Sequence, residues 1–125
     1  MTGVVLSWEA ELEELRRREA LAEQMGGEEK VARQHGRGKM DARARLAALC
    51  DDGTFREIGK IAGKGSYDED GNLEAVLPAP FLFGKAQING RPVVATADDF
   101  TIRGGAADAG ISRKMVQAEK MAHEL

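Results

Sequence analysis

The residues of this sequence best suited to chemistry stand in one basic stretch. Lys30, Arg33, Arg37, Lys39, Arg43 and Arg45 are opposed there by a single acid, Asp41, although the whole chain carries a net charge of -3. Charge segregated in this way sets up a local positive potential and points to an anionic ligand. Gly36 and Gly38 alternate with Arg37 and Lys39. Glycines so placed interrupt a helix and expose backbone N–H groups beside the cations, an amide-plus-cation turn of the kind that binds phosphate. The turn is not a nucleotide P-loop: Gly38-Lys39 has no glycine five residues before it and is followed by Met40 where Ser or Thr would hold magnesium. A solvated charged face and a nucleic-acid contact are the other readings. Against nucleic acid stand the acidic balance of the chain and the lack of aromatic residues interleaved with the cations.

A second candidate is the loop Arg103-Gly104-Gly105 ahead of a helix. It is either a plain tight turn or a place where unobstructed amides approach an anion or a polarised carbonyl, as in an oxyanion hole. No base or nucleophile accompanies it. Asp98 and Asp99 are adjacent, so on a strand they point to opposite faces and form no carboxylate pair. Cys50 lies among Leu46, Ala47, Ala48 and Leu49 and reads as core packing. With no CxxC pair, and with His35 and His123 the only histidines, no metal site is expected.

These residues must be positioned by the elements around them. Ser7 is placed to cap a helix running to about Met25, with Trp8, Leu12, Leu15, Ala22 and Met25 near one face, and Gly26-Gly27 to stop it. A short helix from Glu28 to about Gln34 leads into the basic turn. Asp41 then caps a helix with Ala42, Leu46 and Leu49 at i, i+4 and i+7, ended by Asp51-Asp52-Gly53. Beyond Thr54 the pattern changes. Phe55 to Gly59 is a short extended piece, and Asp68 to Asn72 is an acidic surface turn. Phe81–Ile88 and Pro92–Ala97 are strands joined by Asn89-Gly90, the pair a type I′ hairpin turn demands. Leu77 to Pro80 is expected to be extended and unpaired, because proline cannot donate to a ladder. A helix from about Ala107 follows, with Ile111, Met115, Ala118 and Ala122 on one side, and its lack of a terminal signal at Leu125 suggests a chain cut short.

At 125 residues, with 42% hydrophobic and 31% charged residues, the sequence fits one small globular domain. No run approaches the roughly 20 apolar residues that cross a bilayer, and Met1 to Ser7 carries no basic leader, so a cytoplasmic location is expected.

The order from Gly26-Gly27 through Arg33-Gln-His35-Gly-Arg37-Gly-Lys39-Met-Asp-Ala-Arg43 to Asp51-Asp-Gly53-Thr-Phe55-Arg-Glu57 resembles the N-terminal part of the carboxyltransferase (β) subunits of biotin-dependent acyl-CoA carboxylases, such as the propionyl-CoA and methylcrotonyl-CoA enzymes. Asn89 to Val93 and Asp99-Phe100-Thr101-Ile102-Arg103-Gly104-Gly105 continue the family pattern in the same order. The sequence departs from it at Leu77 to Gly84, where the family is richer in glycine, and at Ala106, where the family has serine.

The resemblance implies an α/β fold: N-terminal helices over residues 1–53 bearing the basic turn, then over 54–125 the first, incomplete part of a crotonase-like ββα superhelix. It implies transfer of a carboxyl group from carboxybiotin to an acyl-CoA through an enolate. Biotin would be carried by a partner, the biotin carboxylase or carboxyl carrier subunit, and the remainder of the carboxyltransferase would complete the site in a ring-shaped hexamer. Arg33, His35, Arg37 and Lys39 become the expected coenzyme A contacts, and Phe100, Arg103, Gly104 and Gly105 the acyl or biotin pocket loop. No catalytic residue is expected within these 125 positions. A stand-alone coenzyme A-binding or assembly module without catalysis is the alternative; neither nucleic acid nor membrane is an expected partner.

Overall fold

The structure is a computed structural model that describes residues 7–102 and 109–125. Three helices come first: α1 (Glu9–Glu23), α2 (Glu28–Gly36) and α3 (Ala42–Leu49). Five strands follow, β1 (Arg56–Ile58), β2 (Gly63–Tyr67), β3 (Leu73–Pro78), β4 (Phe81–Ile88) and β5 (Arg91–Asp98), and then α4 (Ala109–Glu124).

The ends of the helices follow local chemistry, with one exception. Asp41 caps α3, its carboxylate accepting the Ala44 N–H at 2.8 Å, an interaction worth about 1 kcal/mol. Ser7 does not cap α1: Trp8 is the N-cap residue and makes no side-chain bond to the helix. Gly27, at φ 99°, stands before α2 in a conformation closed to most side chains. α2 runs two residues beyond the expected end, to Gly36.

Strands β1, β4 and β5 make one antiparallel sheet in the order β1-β4-β5, and β2 and β3 make a separate hairpin. In the larger sheet Ile88 pairs with Arg91 across Asn89 (φ 51°) and Gly90 (φ 77°), the two positive angles of a type I′ turn. Asp51, just past α3, accepts from the N–H groups of both turn residues at 2.9 and 2.8 Å, tying the hairpin tip to the helix end. The expectation that Leu77 to Pro80 is unpaired fails in part. Leu77 pairs with Lys64 and Pro78 with Gly63, and Pro78 is tolerated because it closes a two-stranded ribbon at its last position. The acidic turn joining these strands is held by Asp68, whose carboxylate accepts from Asp70 and Asn72 N–H at 2.9 Å.

One core cluster joins Ala42, Leu46 and Cys50 of the α3 region to Leu82, Ala86 and Ala95 of the sheet. On the other face Phe81 and Phe83 meet Ala118 of α4. Burial of each large apolar side chain here stabilises by about 2 kcal/mol. The expected stripe on α1 is not covered: Ala22 is buried, but Trp8 is 76% and Leu12 46% exposed. α1 instead meets the β2–β3 hairpin through its arginines, Arg17 Nε donating to the Leu73 carbonyl at 2.9 Å and Arg18 to the Tyr67 hydroxyl at 3.0 Å. Leu49 also faces out, at 56% exposure, because α3 presents Ala42, Leu46 and then Cys50 to the sheet.

Candidate functional site: a cationic cavity

Lys30, Arg33, Gln34 and Arg37 follow one another at i, i+3, i+4 and i+7, the spacing that puts side chains on one face of a helix. With Lys39 they form one side of a surface cavity of about 210 Å³, and Phe100 and Thr101 form the other. The four cations are solvent-accessible, and Phe100 is 62% exposed above them. The volume is below the roughly 300–1,000 Å³ of pockets that enclose a drug-sized ligand. It suits one phosphorylated portion of a larger anion.

Glycine makes the two walls meet. Gly26, between α1 and α2, donates its N–H to Thr101 Oγ1 at 3.0 Å. A Cβ at Gly26 would lie 2.0 Å from the Thr101 carbonyl oxygen, so no other residue permits this approach. Thr101 is in turn fixed by Asp99, whose Oδ1 accepts from its N–H at 2.9 Å and from its hydroxyl at 2.5 Å. Asp99 is only 1% exposed, whereas Asp98 faces out, as alternation on a strand requires.

The expected contacts divide. Arg33, Arg37, Lys39 and Phe100 line the cavity; His35 does not. Its ring Nε2 lies 2.8 Å from Asp41 Oδ2, so it faces the start of α3. Arg103, Gly104 and Gly105 lie outside the described residues. The turn amides are also committed elsewhere: Arg37 and Gly38 N–H donate to the Gln34 and His35 carbonyls at 3.1 and 2.9 Å, and Lys39 N–H to Gln34 at 3.3 Å. An anion in this cavity would therefore meet side-chain cations, since those amides serve to close the end of α2. Lys30, although part of the basic stretch, and Gln34 and Thr101 were not among the expected contacts. The helical spacing within α2 is the signal that could have found the first two; Thr101 offers none, because its approach to Gly26 spans 75 positions.

Arg43, part of the same basic stretch, turns away from the cavity. It grips Glu57 of β1 bidentately, Nη1–Oε1 at 2.5 Å and Nη2–Oε2 at 3.2 Å. Lys114 of α4 is 9% exposed beside this pair. Burial pulls its ammonium below the ordinary lysine range, Glu57 opposes that shift and Arg43 adds to it. Burial raises the Asp41 carboxyl, but the Ala44 N–H and His35 outweigh it and hold the group below its usual value. For Glu23 the hydrogen bond from Lys60 is the largest influence and lowers it. Burial, helped by Asp51, pushes the Cys50 thiol up, which keeps it protonated and a poor nucleophile.

Fold and site together define a helix-and-sheet domain that carries a cationic surface cavity. Residues 33–125 match the carboxyl transferase domain. The carboxyltransferase subunit of propionyl-CoA carboxylase from Haloferax mediterranei is 34% identical over 121 residues, which is 96% of this chain and 23% of that protein. The 12S subunit of methylmalonyl-CoA carboxyltransferase from Propionibacterium freudenreichii subsp. shermanii is 38% identical over 115 residues, 91% of this chain and 22% of that one. A crystal structure of a transcarboxylase 12S hexamer, with methylmalonyl-coenzyme A and methylmalonic acid bound, matches at a TM-score of 0.76 and 32% identity over 94% of this chain and 23% of its own. The chain belongs to the carboxyl transferase domain family, and its fold is that of the crotonase-like carboxyltransferases. It spans less than a quarter of the length of these relatives.

Proposed function

We propose that this chain is the coenzyme A-docking part of a biotin-dependent acyl-CoA carboxyltransferase, in which a carboxyl group passes between carboxybiotin and an acyl-CoA. The observation that carries the reading is the convergence of Lys30, Arg33, Arg37 and Lys39 on one cavity in a chain of net charge -3. Coenzyme A is the fitting ligand: its 3′-phosphate and pyrophosphate are polyanionic, and guanidinium and ammonium groups bind phosphate with charge-assisted hydrogen bonds. Family membership supports the choice, as does the methylmalonyl-coenzyme A held by the solved relative.

In this reading residues 1–53 carry most of the dock and 54–125 begin the carboxyltransferase domain, with Phe100, Arg103, Gly104 and Gly105 bordering the acyl or biotin pocket. The transfer itself rests on other parts of the subunit. A cytoplasmic, ring-shaped hexamer served by a biotin carboxyl carrier is the assembly we infer, supported by the hexamer of the solved relative.

Changing Arg37 and Lys39 together to Ala should weaken coenzyme A binding by about 1–3 kcal/mol. Calorimetric titration of the protein carrying this chain tests it. An unchanged dissociation constant would return the basic face to a structural role.

A further inference from the structure

The helix that brings the cations to the cavity has little of its own to hold it. No residue of α2 is fully buried, and among the described residues its polar attachments to the rest of the chain stand at its two ends. At the C-terminal end Gln34 Nε2 donates to the Met40 carbonyl at 2.6 Å, and His35 meets Asp41. At the N-terminal end the attachment is Gly26 N–H to Thr101 Oγ1, reinforced by the contact that excludes a Cβ. A helix fixed at its ends takes its position from those ends. An error at Gly26 is carried along α2 to Lys30, Arg33 and Arg37.

Thr101 Oγ1 acts in two directions. It accepts from Gly26 N–H, and its own hydrogen goes to Asp99 Oδ1. The same Asp99 Oδ1 accepts from the Thr101 N–H, so it stands as the acceptor in both contacts. Donation to Asp99 leaves the Thr101 lone pairs for Gly26. Asp99 is anchored on its own side, its N–H donating to the Pro80 carbonyl at 2.8 Å where β3 turns into β4. The relay from sheet to helix is thus Pro80, Asp99, Thr101, Gly26.

We propose that Asp99 and Thr101 are positioning residues for the polyanion dock: through Gly26 they set where α2 stands and hence how closely its cations converge with the Phe100 wall. The proposal rests on the reading of the cavity as a coenzyme A site. Neither residue needs to touch the ligand through its relay atoms, since Thr101 Oγ1 is already engaged on both sides and Asp99 is sealed beneath it.

The test is a coupling measurement on the protein carrying this chain. Thr101→Val removes the hydroxyl and keeps the shape; the dissociation constant for coenzyme A should rise about tenfold, the scale of leaving one donor, the Gly26 N–H, without its partner. Thr101→Ser keeps the relay and should bind within about twofold of the parent. Adding Thr101→Val to the Arg37→Ala/Lys39→Ala background should cost far less than it does alone, because the residue acts through those cations. Full additivity, or weak binding by the serine variant as well, would overturn the positioning role. If Thr101→Val does not fold, Asp99→Asn decides: the amide keeps the shape but weakens the acceptor, and a loss of several-fold, absent in the double-alanine background, supports the relay, while an unchanged constant refutes it. If Arg37→Ala/Lys39→Ala alone changes nothing, the dock reading fails and this inference falls with it. If that variant weakens binding and the Thr101 and Asp99 variants do not, only the inference fails.

Discussion

Lys114 shows how much one buried charge depends on its neighbours. Its ammonium faces Glu57 from β1 and Arg43 from α3, with Lys60 and Asp99 lining the same small space. Burial holds its pKa below the ordinary 10.5. Between the lowered folded value and 10.5 the unfolded chain therefore keeps a proton that the folded chain has released. Where the unfolded state binds more protons, stability rises with pH. Lys114→Met removes this contribution. Urea unfolding of parent and variant at about pH 7 and about pH 10 should show the parent gaining on the variant as pH rises. A stability difference that does not move with pH would contradict the account.

Among the elements, the β4–β5 hairpin is tied at its tip by one side chain outside it. Asp51 takes both turn N–H groups with its two carboxylate oxygens, while its own N–H donates to the Gln87 carbonyl at 2.8 Å. Asp51→Ala should lower the unfolding free energy by about 1–3 kcal/mol, with Asp51→Asn recovering part of it because the amide retains one acceptor. Chemical denaturation measures this; a loss below about 0.3 kcal/mol, within the range of ordinary surface changes, would show the clamp to be incidental. The type I′ turn itself was legible in Asn89-Gly90, as the cap was in Asp41, because both are decided by neighbouring residues. The β2–β3 hairpin was not. β2 reads Gly-Lys-Gly-Ser-Tyr, without apolar alternation, and its place is set from a distance: Gly65 leaves room for the Arg18 guanidinium, 2.6 Å from where a Cβ would stand.

At the scale of the whole molecule, the sequence carried the class of fold and much of the cationic face, because segregated charge and ordered motifs survive without coordinates. What it lacked was direction. Arg43 and Arg37 belong to one basic run, yet Arg43 turns inward to Glu57 while Arg37 borders the cavity. Likewise the α1 stripe of Trp8 and Leu12 satisfies a helical period but stays exposed, because α1 reaches the hairpin through Arg17 and Arg18. Thr101 becomes part of the site only when Gly26 and the end of β5 meet. The central claim is that this meeting builds a dock for the phosphates of coenzyme A, and a crystal structure of the protein with coenzyme A bound tests it most directly. We expect phosphate oxygens within about 2.7–3.1 Å of at least two of Lys30, Arg33, Arg37 and Lys39. Coenzyme A bound with its phosphates away from all four would contradict the account.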